Sequence, residues 1–217
     1  MKIAVFGATG GTGRAVIKLL LEQGHSVIAF ARDPARLPSD PGIVPVTGDA
    51  MNEGDVARGV GGADAVIVSL GNSQNPFAML LGAKRTTPPD ICETGTRHII
   101  QAMRGGAARR LIVVSAFGVG DTRAMASPMM RLFFRLVLRE HMADKEKQEA
   151  LVKASGLDWT IMQPVALTDR PAKGAWFASD AGKFGKPELS RADLAAFIAG
   201  ELADPAHISR TVTISGA

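Results

Sequence analysis

The chain contains no tyrosine at all. A phenol is therefore excluded as its acid or base, and with it the Tyr-x-x-x-Lys pair in which an ammonium lowers the phenol's pKa. There is one cysteine, Cys92, so an internal disulfide framework is impossible, which suits a reducing cytoplasm. No uninterrupted run of about 18 apolar residues occurs, so no span of a bilayer is expected. The first apolar run begins at Lys2 with neither a basic leader nor a cleavage site before it, so no signal peptide is expected. The histidines, His25, His98, His141 and His207, are scattered without metal-ligand spacing, and no metal site is expected. The basic excess is small: 25 Lys and Arg against 21 Asp and Glu give a net charge of +4, too little to argue for nucleic acid but compatible with an anionic small molecule. No G-x-S-x-G elbow is present, which argues against a serine hydrolase.

What is present begins at the first residues. Ile3, Val5 and Phe6 form a short apolar run that reads as a buried strand. Gly7, Gly10 and Gly13 follow in a G-x-x-G-x-x-G pattern, and Val16, Ile17, Leu19, Leu20 and Leu21 then recur at helical spacing. Strand, glycine turn and helix are the front half of a dinucleotide-binding βαβ unit. The turn needs unusual φ/ψ, the backbone must come close to a pyrophosphate, and the helix must pack tightly on the strand. Free N–H groups and the positive dipole end at the helix start then hold the phosphates.

The rest of the chain repeats the alternation. Strands are expected at 25–31, 43–47, 63–70, 109–115, 158–163 and 211–214, with helices at 52–60, 90–103 and 127–155 (one long or two abutting) and a last one opened by the capping pattern Ser190-x-x-Asp193. Asp33 with Pro34 reads as the N-cap and first position of a short turn. On the helix from Asp90, the residues Ile91, Ile99, Ile100 and Met103 are expected on the inner side. Two segments are irregular: the long loop 71–89, which holds Asn72, Ser73, Phe77, Lys84 and Arg85, and the turn-rich stretch 166–189. The fold class is therefore α/β, a doubly wound parallel sheet covered on both faces, as one domain over residues 1–217, a length that can bury a sizeable core.

In such sheets the ligand sits outside the carboxyl ends of the strands, where strand order reverses. That gathers Gly7 to Gly13, Arg32, Asp49, Leu70, Gly71, Asn72, Ser115 to Phe117, Pro164 and Val165 around one crevice. At the end of the second strand an acid would accept from a ribose 2′-OH; this chain has Arg32, whose fork suits a 2′-phosphate, with Arg36 one turn on to join it. Asp33 competes as the ribose acceptor, but its capping role already explains it. Asp49 reads equally as an acceptor for the adenine amino group or as a turn aspartate. His141 and Lys145 stand four apart, so imidazole and ammonium share a helix face; His141 is a candidate proton donor against the alternative of a solvated charged stretch, and Lys145 a candidate contact to the nicotinamide ribose. Ser115, at the strand end, is a candidate donor to a nicotinamide or substrate carbonyl. Arg131, Arg135 and Arg139 recur at four-residue spacing in an otherwise apolar segment. A membrane-surface helix is one reading; core plus a pocket or subunit contact, with one solvated arginine stripe, is the preferred one, with Met130, Phe133 or Phe134 walling a flat-substrate pocket.

Several stretches taken together resemble the atypical short-chain dehydrogenase/reductases, in particular the NAD(P)H-binding, NmrA-like branch that includes flavin reductase/biliverdin-IXβ reductase. They are residues 2–13, residues 31–38, Gly48 with Asp49, residues 64–68, Val114 to Phe117, and the stretch Ser155 to Pro164. The resemblance runs from residue 2 to about residue 200. It implies a Rossmann fold and NADP(H) bound at Gly7, Thr9, Gly11, Thr12, Gly13, Arg32, Arg36, Asp49, Leu70, Gly71, Ser115 and Pro164. It also implies hydride transfer to flat conjugated acceptors such as flavins, quinones or linear tetrapyrroles. Many such proteins carry a lysine one helical turn before a glutamate, and Lys145 before Glu149 looks similar; His141 stands where a tyrosine would precede that lysine. A second reading is a non-catalytic NADP(H)-sensing regulatory protein of the NmrA type, which the missing tyrosine supports. The expected partner is a small planar acceptor, with no nucleic acid and no membrane, and the expected state a monomer or weak homodimer in the cytoplasm.

Overall fold

Strands that are apolar at nearly every position, as Lys2–Phe6, Ala65–Val68 and Arg110–Val114 are, require cover on both faces of the sheet, and the chain supplies it. The computed structural model describes residues 1–72, 74, 82–84 and 86–217; Ser73, Phe77 and Arg85 of the long loop lie outside the described residues. In chain order the elements are β1 (Lys2–Phe6), α1 (Gly11–Glu22), β2 (Ser26–Ala31), β3 (Ile43–Thr47), α2 (Glu53–Val60), β4 (Ala65–Val68), α3 (Ile91–Arg104), β5 (Arg110–Val114), α4 (Pro128–Val137), α5 (Arg139–Lys153), β6 (Asp158–Pro164), β7 (Ala166–Thr168), β8 (Trp176–Ser179), β9 (Glu188–Ser190), α6 (Arg191–Ala203) and β10 (Arg210–Gly216). Short 3-10 turns occupy Pro34–Arg36 and Gly120–Met125.

The main sheet has eight strands in the order β3-β2-β1-β4-β5-β6-β10-β8. The chain winds outward from β1 to β3, then returns to lay β4 on the other side of β1, so strand order reverses between β1 and β4. Within β1, Ile3 and Val5 face the layer of Val16, Ile17, Leu20, Leu194 and Ile198, while Ala4 and Phe6 face that of Val56, Ile99, Ile100, Met103 and Val152. This two-residue period, repeated in β4 and β5, is what a sheet buried on both faces demands. Each fully buried Ile, Leu or Phe of these layers contributes about 1.5–3 kcal/mol. Phe6 adds a ring contact to Phe30 at 4.6 Å between centroids.

The expected doubly wound, mostly parallel sheet is the one that forms; β8, a strand not expected from the sequence, pairs antiparallel with β10, matching Thr213 with Ser179 and Gly216 with Trp176. Two expectations are corrected. The stretch 166–189 is not wholly irregular, since it contains β7, β8 and the start of β9; these strands are three or four residues long and pair only with distant partners, so no local pattern marks them. The segment 127–155 takes the second of its two expected forms, two helices that abut at Leu138; what is corrected is the core reading of its apolar face, since no residue of α4 is buried. The capping expectations agree with the structure. Asp33 accepts from the Ala35 N–H at 3.2 Å, and Ser190 Oγ accepts from the Asp193 N–H at 2.9 Å. Ile91, Ile99, Ile100 and Met103 are all buried. Among the described residues no helix is long and apolar enough to cross a membrane.

Candidate functional site

The turn between β1 and α1 closes because it is built of glycine. Gly7 takes φ +85°, and a Cβ there would stand 2.3 Å from the Ser69 carbonyl oxygen; a Cβ on Gly13 would stand 2.2 Å from the carbonyl oxygen of Gly7 itself. Helix and strand approach each other more closely than any side chain allows. Gly10 is the N-cap and offers no side chain, so no capping side chain competes for the first N–H groups of α1. Arg191, the first residue of α6, packs its guanidinium stem against Gly11, with Nε 2.8 Å from where a Cβ would be. This cation at the head of α1 has no signal in the local sequence, because it arrives from far along the chain.

A cleft of about 350 Å³ opens beside this turn, between the ends of β1, β2, β3 and β4. Gly7, Thr9, Gly10, Gly11, Arg32, Arg36, Asp49, Leu70 and Gly71 line it, all named from the sequence; Phe30, Ala31, Gly48, Ala50, Ser69, Thr87 and Ile91 join them. Thr12 and Gly13 lie beneath it, buried in the first turn of α1. Arg32 Nη1 donates to the Thr86 carbonyl at 3.3 Å, and Gln74 bridges the Lys84 carbonyl and the Thr86 N–H at 2.9 and 2.8 Å. The described parts of the long loop are thus tied across the end of β2. Asn72 Oδ1 accepts from the Gln74 N–H at 2.9 Å, a turn contact, and Asn72 is not among the residues lining the cleft. Asp49 serves its own turn: Oδ1 accepts from the Met51 N–H at 3.0 Å. A larger open hollow of about 980 Å³ lies between α1 and residues 36–42, but it reaches Ser26 at the start of β2, away from the strand ends where such sheets hold ligands.

The remaining sequence-named residues gather further along the same edge. The Ser115 and Phe117 N–H groups donate to the carbonyls of Met162 and Pro164 at 2.7 and 3.0 Å, so β5 and β6 stay zipped past their ends; Val165 donates to Ile214 at 3.1 Å. Lys145 Nζ donates to the Val114 carbonyl at 3.0 Å, which puts the ammonium at the end of β5. His141 is half-buried one turn earlier on α5. Ser115 Oγ does not stand free for a ligand: it donates to Glu149 Oε1 at 2.5 Å. Gln163 Nε2 donates to the same oxygen at 2.8 Å, and Gln163 Oε1 accepts from Thr122 at 2.8 Å. Glu149 is 2% exposed, and its Oε2 has no hydrogen-bond partner among the described residues. Burial pushes its carboxyl above the ordinary range, against hydrogen bonds from Gln163 and Ser115 that lower it. Of this cluster, sequence reasoning named Ser115 and noted the Lys145-to-Glu149 spacing, and passed over Gln163 and Thr122. Cys92 is no nucleophile: burial pushes its thiol up to about 12, and Sγ donates to the Leu70 carbonyl at 3.4 Å.

The residues present fit a dinucleotide. An uncapped helix start, a turn whose glycines bring backbone close, two arginines at the end of β2 and apolar walls at Leu70 and Ile91 stand around one cleft. The profile of the NAD(P)H-binding family matches residues 7–205. The chain belongs to that family. Among curated relatives, an uncharacterized chloroplastic protein of Arabidopsis thaliana, At2g34460, is 27% identical over 209 residues, covering 92% of this chain and 71% of that protein. For two other curated relatives the match spans only 32% and 38% of their length. Among solved structures, ChuY, an anaerobilin reductase from Escherichia coli O157:H7, aligns with a TM-score of 0.78 at 23% identity over 100% of this chain and 97% of its own. A short-chain dehydrogenase/reductase from Veillonella parvula in complex with NADP aligns with a TM-score of 0.80 at 17% identity over 99% of this chain and 94% of its own. These two establish the shared fold, and the family establishes NAD(P)H as the cofactor class.

Proposed function

We propose that this chain is an NADPH-dependent reductase that delivers hydride to a flat conjugated acceptor. The observation that carries the nucleotide preference is Arg32, which with Arg36 lines the cleft where an acid would otherwise meet the ribose 2′-OH. Asp33 beside it is occupied as a turn cap. The opening turn of α1 receives the diphosphate, and Arg32 and Arg36 the 2′-phosphate. Leu70 and Ile91 supply an apolar wall, and Lys145, held at the end of β5, is the contact for the nicotinamide ribose. NADPH, when bound, supplies the hydride; the protein contributes position and exclusion of water. The proton that completes the reduction comes from solvent or from His141. Ser115 Oγ–H is committed to Glu149, so its role is to hold the β5–β6 end in shape and to donate to a ligand only by exchanging that bond. The molecule works as a monomer or a weak homodimer.

The absence of tyrosine favours one other reading, a protein that binds NADP(H) and passes its state to a partner without turnover. The test is NADPH oxidation, followed by loss of nicotinamide absorbance, across flavins, quinones and linear tetrapyrroles. Consumption with at least one acceptor is expected; tight binding with no oxidation across the panel selects the sensor. Calorimetry in which neither NADP⁺ nor NADPH binds overturns both.

A further inference from the structure

A second cavity, of about 420 Å³, lies between α4, α5 and the loop after β5. Arg123, Arg131, Arg135 and Arg139 line it, together with Phe134 and Met142, and no acidic side chain does. Arg123 pairs with Glu146. Arg131, Arg135 and Arg139 have no ion-pair partner among the described residues. Their spacing of four residues, continued from α4 across Leu138 to the first residue of α5, keeps them on one side. Like charges brought together around one concave surface repel one another, and an anion relieves that repulsion while satisfying the guanidinium forks. The floor is apolar by construction. Gly118 has φ +90°, and a Cβ there would stand 2.4 Å from the Phe134 ring, so the glycine is what lets the ring sit against the backbone. Gly118 is three residues beyond Ser115, and Met142 one helical turn before Lys145, so the cavity adjoins the end of β5.

We propose that this cavity is a subsite for the acidic groups, carboxylate or phosphate, of a small acceptor with an apolar conjugated body. The acidic groups meet Arg131, Arg135 and Arg139, and the body lies on Phe134 and Met142. The proposal rests on the reductase reading for what the ligand is for, but its test reads binding alone. The probes are two matched pairs: riboflavin 5′-phosphate against riboflavin, and biliverdin against its dimethyl ester. Each is titrated by fluorescence or absorbance onto the full chain saturated with NADP⁺. The anionic member of at least one pair is expected to bind about tenfold or more tighter. In the triple variant Arg131→Gln/Arg135→Gln/Arg139→Gln the preference is expected to fall to about twofold or less, with NADPH affinity and melting temperature unchanged.

No preference in either pair, or a preference that survives the triple variant, overturns the subsite. Anionic probes that bind by preference but never consume NADPH defeat the reductase reading and leave the subsite standing. Acceptors reduced at equal rates whether charged or neutral do the reverse. The outer face of α4 exposes Met129, Leu132 and Leu136 at 79%, 56% and 60%. Sedimentation with phosphatidylglycerol vesicles, lost in the triple variant and accompanied by no discrimination within either probe pair, would replace the subsite with a lipid surface.

Discussion

The two ends of the sheet's carboxyl edge are built by different means. Around β1, β2 and β4 the cleft is made of backbone: glycines that permit close approach, N–H groups at a helix start, and arginines that follow directly on a strand. Around β5 and β6 the edge is made of side chains that meet across long sequence distances, with Ser115, Glu149, Gln163 and Thr122 in one buried network and Lys145 on the Val114 carbonyl. The first kind of site is intolerant of added atoms. The second holds a buried carboxyl with an unpartnered oxygen among the described residues, whose charge is costly to bury.

The sharpest way to break this contrast is Gly13→Ala. Its Cβ would stand 2.2 Å from the Gly7 carbonyl oxygen, so the turn must shift, and with it the proposed diphosphate seat. NADPH affinity by calorimetry is expected to fall by about a hundredfold or more, equivalent to about 3 kcal/mol. Near-normal binding would show that the turn is not the anchor. Next in size is Arg32→Ala, expected to weaken NADPH by about tenfold to a hundredfold and NADH by about twofold or less, as for a lost charge-assisted hydrogen bond. Equal losses for the two nucleotides would refute the phosphate role.

On the other side, Asp144 of α5 caps α3 from outside: its two oxygens accept from the Cys92 and Glu93 N–H groups at 2.9 and 2.8 Å. Asp144→Ala is expected to cost about 1–2 kcal/mol in chemical denaturation and to leave nucleotide affinity nearly intact. A loss of NADPH binding larger than the loss of stability would join the two regions into one unit.

Glu149→Gln probes the network itself. The raised carboxyl means that the folded state holds its proton more tightly than the unfolded one. Stability from this group is therefore full below the ordinary value of 4.5 and declines as pH rises from there through the raised folded value. Glutamine, uncharged at every pH, should remove that decline. The variant is expected to match the wild type under acid conditions and to exceed it near neutrality, as read by chemical denaturation at the two pH values. A variant that is less stable only near neutrality would mean that the ionised carboxylate is the stabilising form. The smallest effect is expected for His141→Phe, with turnover within about threefold of wild type if solvent supplies the proton; a drop of about a hundredfold makes His141 the donor.

The contrast also explains what could be read from the residues alone. The glycine turn, the arginines after β2, the Asp33 and Ser190 caps and the buried face of α3 are local patterns, each set by neighbours within one or two turns of chain. The antiparallel edge strand β8, the cap of α3 by Asp144, the burial of Glu149 and the guanidinium of Arg191 against Gly11 have no local signature. Of the reading of α4 as core plus a pocket, the core part fails and Phe134 does line a cavity, because periodicity shows that a face is apolar and not what covers it.

By itself, then, the order of residues determined the α/β alternation, the glycine turn between β1 and α1 and the absence of any phenolic acid, since strand period, helix period and glycine conformation act over a few residues. Only the tertiary structure decided that Ser115 is bound to a buried glutamate, that nine of the named residues line one cleft, and that a row of arginines encloses a second. Those outcomes depend on which distant segments the packed sheet brings within a few ångströms, and burial, charge and hydrogen bonding act only at that range.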